Sequence, residues 1–233
     1  MKSAGSAARR AAGTLLRAPI ARASRPQWRI PFGPGRGLRL EYDPHAPLDL
    51  WLGLYEHEVT RHLATLCPPG TSSFDVGSYD GYWALLLARL GGGPVIAFDS
   101  DEEACARIRR NREANGEFGA RIDVRHGYVA FERNPEVNAF TLDELVQGGQ
   151  AFVPDLVKID VDRAEASVLS GARRLLAERR PHLIVETHSP ELERECADML
   201  VAAGYGPVVV TQRRLLAENR PIAHNRWLIA TGT

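Results

Sequence analysis

Cysteine and lysine are scarce in this 233-residue chain, charge of either sign is not in excess, and each shortage excludes something. The three cysteines, Cys67, Cys105 and Cys196, lie far apart without a C-x-x-C pair, so neither a disulfide framework nor a zinc site is indicated. A reducing, cytoplasmic setting is the expectation. Basic and acidic residues balance at 29 each, and a formal net charge of zero argues against a nucleic-acid partner, which needs a concentrated basic surface. No apolar run approaches the ~18 to 20 residues of a membrane span, and no continuous apolar segment marks a secretion signal. Only Lys2 and Lys158 are lysines, which makes a lysine inside an apolar strand stand out.

What is present reads as one α/β domain with an N-terminal extension. Residues 1–26 hold Lys2, Arg9, Arg10, Arg17, Arg22 and Arg25 with no acid. They are read as a poorly ordered basic tail, open to a weak partner or surface contact, against a short amphipathic helix at 6–18 or an organelle transit peptide. Residues 27–70 are expected to form a hairpin turning at 33–37 and two helical pieces within 46–66 broken near Gly53. From 71 to 233 strands and helices alternate. Strands are expected at 72–77, 94–99, 121–126, 155–161, 182–187, 206–211 and 226–231, and helices at 80–90, 101–115, 141–147, 163–178 and 190–203. Ser100 with Glu103 forms a capping box, and Ser189-Pro190 opens the last helix. Such alternation predicts a seven-stranded, mostly parallel, Rossmann-like sheet with helices on both faces.

Between Phe74 and Asp99 the chain reads FDVGSYDGYWALLLARLGGGPVIAFD: strand, glycine turn, helix, and a second strand ending on an acid. That order lays a nucleoside-sized ligand across the first strand's carboxyl end, with Asp99 accepting hydrogen bonds from its ribose. Gly77 and Gly81 are expected where the turn bends and a ligand approaches the backbone. The spacing is D-x-G-x-x-x-G, and acids at Asp75 and Asp80 would repel a pyrophosphate while suiting a ligand with an ammonium and a sulfonium. The loop therefore favours S-adenosylmethionine over NAD.

A second motif, LVKIDVDRAEASVLSGARRLL, begins in a strand. Period two puts Lys158, Asp160 and Asp162 on one face and Val157, Ile159 and Val161 on the other. Asp160 at the strand tip is a candidate base, and Lys158 is expected to pair with a neighbouring carboxylate, Asp160 itself being the nearest. Asp162 and Glu165 have the spacing of an N-cap and its partner. The next strand, HLIVETH, ends in Glu186 and His188, candidate base groups. Metal binding by Asp160, Glu186 and His188 is conceivable, but no spacing specifies it, so no metal is assigned.

These segments resemble the FkbM family of class I, S-adenosylmethionine-dependent methyltransferases. The resemblance runs from LGLYEHEVTRHLATLCPPGTSSFDVGSYDGYWALLLARL through FDSDEEACARIRRNREANG to TLDEL, PDLVKIDVDRAEASVLSGARRLL and PHLIVETH. It implies that Asp75, Gly77 and Gly81 shape the methionine side of the cofactor site and that Asp99 takes the ribose; Ser78, Tyr79, Ser100 and Asp160 are further candidate cofactor contacts. Two positions depart from it: Ser78-Tyr79 stand where Ala-Asn is usual, and Asp162-Arg163 where Glu-Gly is usual. The expected activity is O-methylation of a hydroxyl on a small molecule, a sugar or secondary metabolite. The rivals are a cofactor-binding module without turnover and an NAD-dependent oxidoreductase. Acceptor choice is expected in loops 27–55 and 127–140, where Tyr128, Phe131 and Phe140 are candidate lining residues.

Overall fold

The computed structural model describes residues 27–212 and 224–232. The basic tail of 1–26 lies outside them. Two compact units divide between Tyr55 and Glu56.

In the first unit, β1 (Gln27–Arg29) and β2 (Arg39–Glu41) pair antiparallel, and the turn closes through Gly37 N–H donating to the Ile30 carbonyl at 2.8 Å. Helix α1 (Leu48–Leu52) supplies Trp51, buried against Trp28 and Tyr42 with ring centroids at 5.9 and 5.2 Å. The hairpin expected from WRIPFGPGRGLRLEY is present.

The second unit holds all seven expected strands: β3 (Ser73–Val76), β4 (Val95–Asp99), β5 (Ile122–His126), β8 (Leu156–Ile159), β9 (His182–Thr187), β10 (Val208–Thr211) and β11 (Arg226–Ala230). Their order across the sheet is β10-β11-β9-β8-β3-β4-β5. β5, β4, β3, β8 and β9 run parallel, and β11 is antiparallel to both β9 and β10. Two-residue strands β6 (Tyr128–Val129) and β7 (Ala139–Phe140) form a small separate pair. The chain reverses its direction of travel across the sheet between β3 and β8, so the ligand crevice of such a sheet opens at their carboxyl ends.

Alternation along each strand sorts the two faces. Phe74, Val76, Ile96, Phe98, Val157, Ile159, Leu183 and Val185 share one apolar core with α7 (Leu142–Gln147), α8 (Glu165–Ser170), α9 (Arg173–Glu178) and α10 (Pro190–Ala202). Asp75, Lys158 and Glu186 take the opposite parity. Helix α4 (Tyr82–Leu90) is buried from Tyr82 to Ala88, and packs with β3 and β4, while α5 (Glu102–Ala114) packs with β4, β5 and the short α6 (Gly116–Gly119).

Four local expectations are corrected. The helical stretch of 46–66 is three pieces, α1, α2 (His57–Thr60) and α3 (Leu63–Leu66). The single helix of 163–178 is broken between α8 and α9, where a β-carbon on Gly171 would stand 2.0 Å from the Ala130 carbonyl oxygen. The cap of α5 is Asp101, whose carboxylate accepts from Glu103 N–H at 2.9 Å, not Ser100. Asp162 is exposed and does not cap α8, which begins after Ala164. The Ser189 cap holds, its hydroxyl accepting from Leu192 N–H at 3.1 Å.

Gly77 shows how the fold builds the crevice floor. Its φ is +83°, and an added β-carbon would lie 1.8 Å from the Asp160 carbonyl oxygen. Gly77→Ala therefore combines a left-handed alanine, costing about 1–2 kcal/mol, with a clash that pushes the tip of β8 away. Urea unfolding is expected to show a loss of at least about 2 kcal/mol.

Candidate active site

Register assembles the site. Asp75 of β3 is the cross-strand partner of Lys158 in β8, and Glu186 of β9 is the partner of Trp227 in β11. Partners point to the same face, so three strands deliver charged side chains to one side of the sheet. Lys158 Nζ lies 3.2 Å from Asp160 Oδ2 and 5.4 Å from the centre of the Trp83 ring. The Trp83 indole donates to Glu56 Oε2 at 2.8 Å, and the Trp227 indole donates to Glu186 Oε2 at 3.2 Å. Beyond the strand ends, His188 Nδ1 is 2.6 Å from Glu165 Oε1, while Nε2 is 3.6 Å from Asp160 Oδ1 and 3.8 Å from Glu186 Oε1.

Acids gather at this site: among the described residues, Glu56, Asp75, Asp160, Glu165 and Glu186 surround Lys158 and His188. Asp160 is the opening: its side chain is 19% exposed, against 4% or less for Lys158, His188, Glu165 and Glu186. Burial alone would lower the Lys158 ammonium, but Asp160, Glu56, Asp75 and Glu186 together hold it above the ordinary lysine value. Burial pushes the Asp75 carboxyl up to about 6 against the pull of Lys158 and the Ser78 hydroxyl. Burial likewise raises Glu165, opposed by the hydrogen bond from His188. Burial disfavours the His188 cation, yet the Glu165 hydrogen bond and the charges of Asp160, Glu165 and Asp162 outweigh it, so the imidazole keeps its proton to higher pH than usual.

The expected cofactor residues fall into two groups. Asp99 ends β4 beside the glycine turn, accepting from Tyr79 N–H at 2.8 Å through Oδ2 and from Asp101 N–H at 2.9 Å through Oδ1. A carboxylate has about four lone-pair sites, so each oxygen retains one acceptor direction. Ser78 turns inward, its hydroxyl donating toward the Asp75 carboxylate at 2.8 Å. Gly81, with φ +80°, opens α4 and faces Ile108, so its missing β-carbon admits a helix rather than a ligand. Asp80 accepts from Tyr82 N–H at 2.9 Å, and exposed Tyr79 lies under the Arg107 guanidinium at 5.4 Å. Ser100 is exposed, its carbonyl 3.1 Å from His126 Nε2. Of the aromatic candidates, Phe140 packs on Phe98 at 5.7 Å, while Tyr128 and Phe131 are exposed.

Asp160, Glu186 and His188 come together as expected, with ligand atoms within 4.8 Å of one another. Sequence reasoning missed Glu165 as a site residue, because D-x-x-E also spells a helix cap, and missed Glu56 and Trp83, whose roles depend on contacts distant in sequence. Two clefts of about 360 and 470 Å³ lie elsewhere, at the amino-terminal ends of β4 and β5 and between α7 and α9.

The sheet order, with its reversed β11 and its acid-ended β4, defines the Rossmann-like fold of class I methyltransferases. Residues 116–207 match the family model of the methyltransferase FkbM domain. A ribosomal protein L11 methyltransferase from Pelotomaculum thermopropionicum is 35% identical over 139 residues, covering 56% of this chain and 42% of that protein. Methyltransferase FkbM from Methylobacillus flagellatus superposes with a TM-score of 0.56 at 16% identity, over 69% of this chain and 43% of its own. Aeropyrum pernix fibrillarin, solved with natively bound S-adenosyl-L-methionine, gives 0.53 at 13% identity over 75% and 73%. The chain thus spans under half the length of the first two. At these identities the structural likenesses establish the fold. No helix among the described residues is long and apolar enough to cross a membrane.

Asp75 generates a pH signature. Its folded value of about 6 stands above the ordinary carboxyl value of 3.8. The stability it contributes is therefore present below 3.8 and lost as pH rises through about 6, a swing of about 3 kcal/mol. Urea midpoints of Asp75→Asn and the parent protein should diverge in the variant's favour by that amount between pH 4 and 7. Parallel curves would contradict it.

Proposed function

We propose that the chain is an S-adenosylmethionine-dependent methyltransferase that acts on a hydroxyl of a small molecule. The observation that carries this reading is the His188 imidazole, anchored on Glu165 at 2.6 Å and turned toward Asp160 at the carboxyl ends of β8 and β9. The site's residues suit the cofactor. Asp99 offers the two remaining acceptor directions a ribose requires, and the buried carboxylates beside Lys158 suit a cation. Asp75 Oδ1 and Glu165 Oε2 are buried without hydrogen-bond partners, consistent with an interior arranged for positive charge. A pyrophosphate fits poorly against Asp75, Asp160 and Glu186, which disfavours the NAD reading.

When bound, S-adenosylmethionine supplies an electrophilic methyl group on a sulfonium. This chain's part is to hold the acceptor oxygen in line, to exclude water, and to take the hydroxyl proton at His188 Nε2 while Nδ1–H stays on Glu165. Lys158 fixes Asp160 in place by holding Oδ2. The two departures from the family pattern, Tyr79 and Arg163, are both left-handed, with φ of 52° and 68°. Asn and Gly tolerate that conformation better, so the exchange costs backbone strain, whereas the hydrogen bonds of the acid cluster stay intact. That favours an active enzyme over a module without turnover. The likeness to a ribosomal protein L11 methyltransferase supports a second reading, methylation of a protein.

Asp99→Ala should weaken S-adenosylhomocysteine binding roughly 10- to 100-fold by calorimetry, from the loss of charge-assisted hydrogen bonds. Transfer of labelled methyl from S-adenosylmethionine to a panel of sugars and hydroxylated metabolites, with ribosomal protein L11 alongside, tests the acceptor class. With a hydroxyl acceptor, His188→Asn should lower kcat about 10²-fold or more. Labelling of L11 alone would replace the small-molecule reading with the protein one.

A further inference from the structure

The three side chains that meet at the ends of β8 and β9 are each held from behind. Lys158 Nζ binds Asp160 Oδ2 at 3.2 Å, the Trp227 indole donates to Glu186 Oε2 at 3.2 Å, and Glu165 Oε1 holds His188 Nδ1 at 2.6 Å. The anchors come from three separate elements, β8, β11 and α8. With one atom of each side chain fixed, the other three turn toward one another: His188 Nε2 lies 3.6 Å from Asp160 Oδ1 and 3.8 Å from Glu186 Oε1. Those separations are too long for hydrogen bonds. They are close to what coordination requires, since two donors each about 2.1 Å from a tetrahedral ion stand about 3.4 Å apart. The donor atoms of the trio all lie within 4.8 Å of one another, and the Asp160 side chain, 19% exposed, has the freedom to close the remainder. The anchoring of the ring is an independent pointer. A histidine that ligates a metal through one nitrogen characteristically gives the N–H of the other to a carboxylate, which fixes the ring and strengthens it as a donor. Glu165 does this from full burial, and its Oε2 accepts no hydrogen bond among the described residues, so the carboxylate gains from positive charge placed on the ring.

We propose that Asp160 Oδ1, Glu186 Oε1 and His188 Nε2 form a site for one divalent ion of the zinc class, and that this ion blocks methyl transfer. One imidazole with two carboxylates suits zinc, whereas magnesium prefers oxygen donors and keeps its waters. Each donor atom gives a lone pair to the ion, a proton on Nε2 passes to solvent, and nothing is oxidised or reduced. Glu165 is a positioning residue that acts through the ring. The block rests on the methyltransferase reading, in which Nε2 takes the proton of the acceptor: a lone pair bound to zinc cannot accept it.

Calorimetry of the chelator-treated, unmutated protein with zinc chloride, and with magnesium chloride alongside, reads the site without any methyl donor. One zinc ion per chain is expected in a saturable step, with magnesium at least about 100-fold weaker. Cobalt chloride as a stand-in should give a visible spectrum of nitrogen and oxygen coordination; a sulfur-to-cobalt band would assign the ion to a cysteine and overturn the proposal. That spectrum depends on no variant's folding. His188→Asn should weaken zinc by more than about 100-fold, and Glu165→Gln, which still accepts Nδ1–H, by about 10- to 100-fold. Unchanged affinity in both variants would move the ion to other side chains and sink the site. In the methyl-transfer assay zinc should lower kcat at least about 10-fold, with recovery on adding EDTA; transfer that zinc leaves unaltered or raises would refute the block. A protein that binds S-adenosylhomocysteine but no zinc ends this proposal and leaves the methyltransferase reading standing. A protein that binds zinc but neither form of the cofactor keeps the ion site and loses that reading together with the block.

Discussion

A single buried ammonium organises the second compact unit. Lys158 sits in the middle of a parallel strand, where desolvating an ion costs several kcal/mol, and it is tolerable only because Asp160 lies 3.2 Å away. At that separation an effective dielectric of about 20 gives an attraction of about 5 kcal/mol. The pair alone would roughly break even. The surrounding carboxylates of Asp75, Glu56 and Glu186 shift the balance so that the ammonium stays charged. The dependence runs the other way too: without Lys158, the acids converging on the carboxyl ends of β3, β8 and β9 would lose the ammonium that they share. That ammonium belongs to the one lysine among the described residues.

The strands were legible because a sheet covered on both faces turns its strands into apolar runs bounded by turn residues. Phe74-Asp75-Val76 and Val157-Lys158-Ile159 also show why the exceptions mattered, since an ionisable residue of the wrong polarity within such a run marks the face where charge is concentrated. The Lys158–Asp160 pair followed from period two alone. Helix interruptions were not legible. Nothing local to Gly171 reveals that the Ala130 carbonyl passes where a β-carbon would be, and the break between α8 and α9 belongs to that tertiary contact.

The site itself was half legible. Asp160, Glu186 and His188 lie at strand ends, where topology directs function, and were brought together by the sheet. Glu165 obeyed two grammars at once. Its spacing from Asp162 spells a cap, but α8 starts too late for Asp162 to serve, and Glu165 turns inward to the imidazole. Glu56 gave less warning still. It is fully buried with φ at 45°, a strained conformation for a non-glycine residue, and its partner Trp83 is 27 positions away.

Gly77 connects these observations. Its left-handed turn lets the chain leave β3 beneath the Asp160 carbonyl, so the glycine loop and the tip of β8 occupy adjoining space. Tyr79, two residues on, reaches back with its N–H to Asp99. One short turn therefore fixes the ends of three neighbouring strands, β4, β3 and β8. It also explains why the glycines of such a loop are poor indicators of a ligand when read singly: Gly77 yields to backbone and Gly81 to Ile108, each a demand of packing. The chemical information resides in the charges that the turn gathers, the Asp99 carboxylate on one side and the Asp160–His188–Glu165 array on the other, and the proposed methyl donor, with ribose hydroxyls at one end and a sulfonium at the other, matches both.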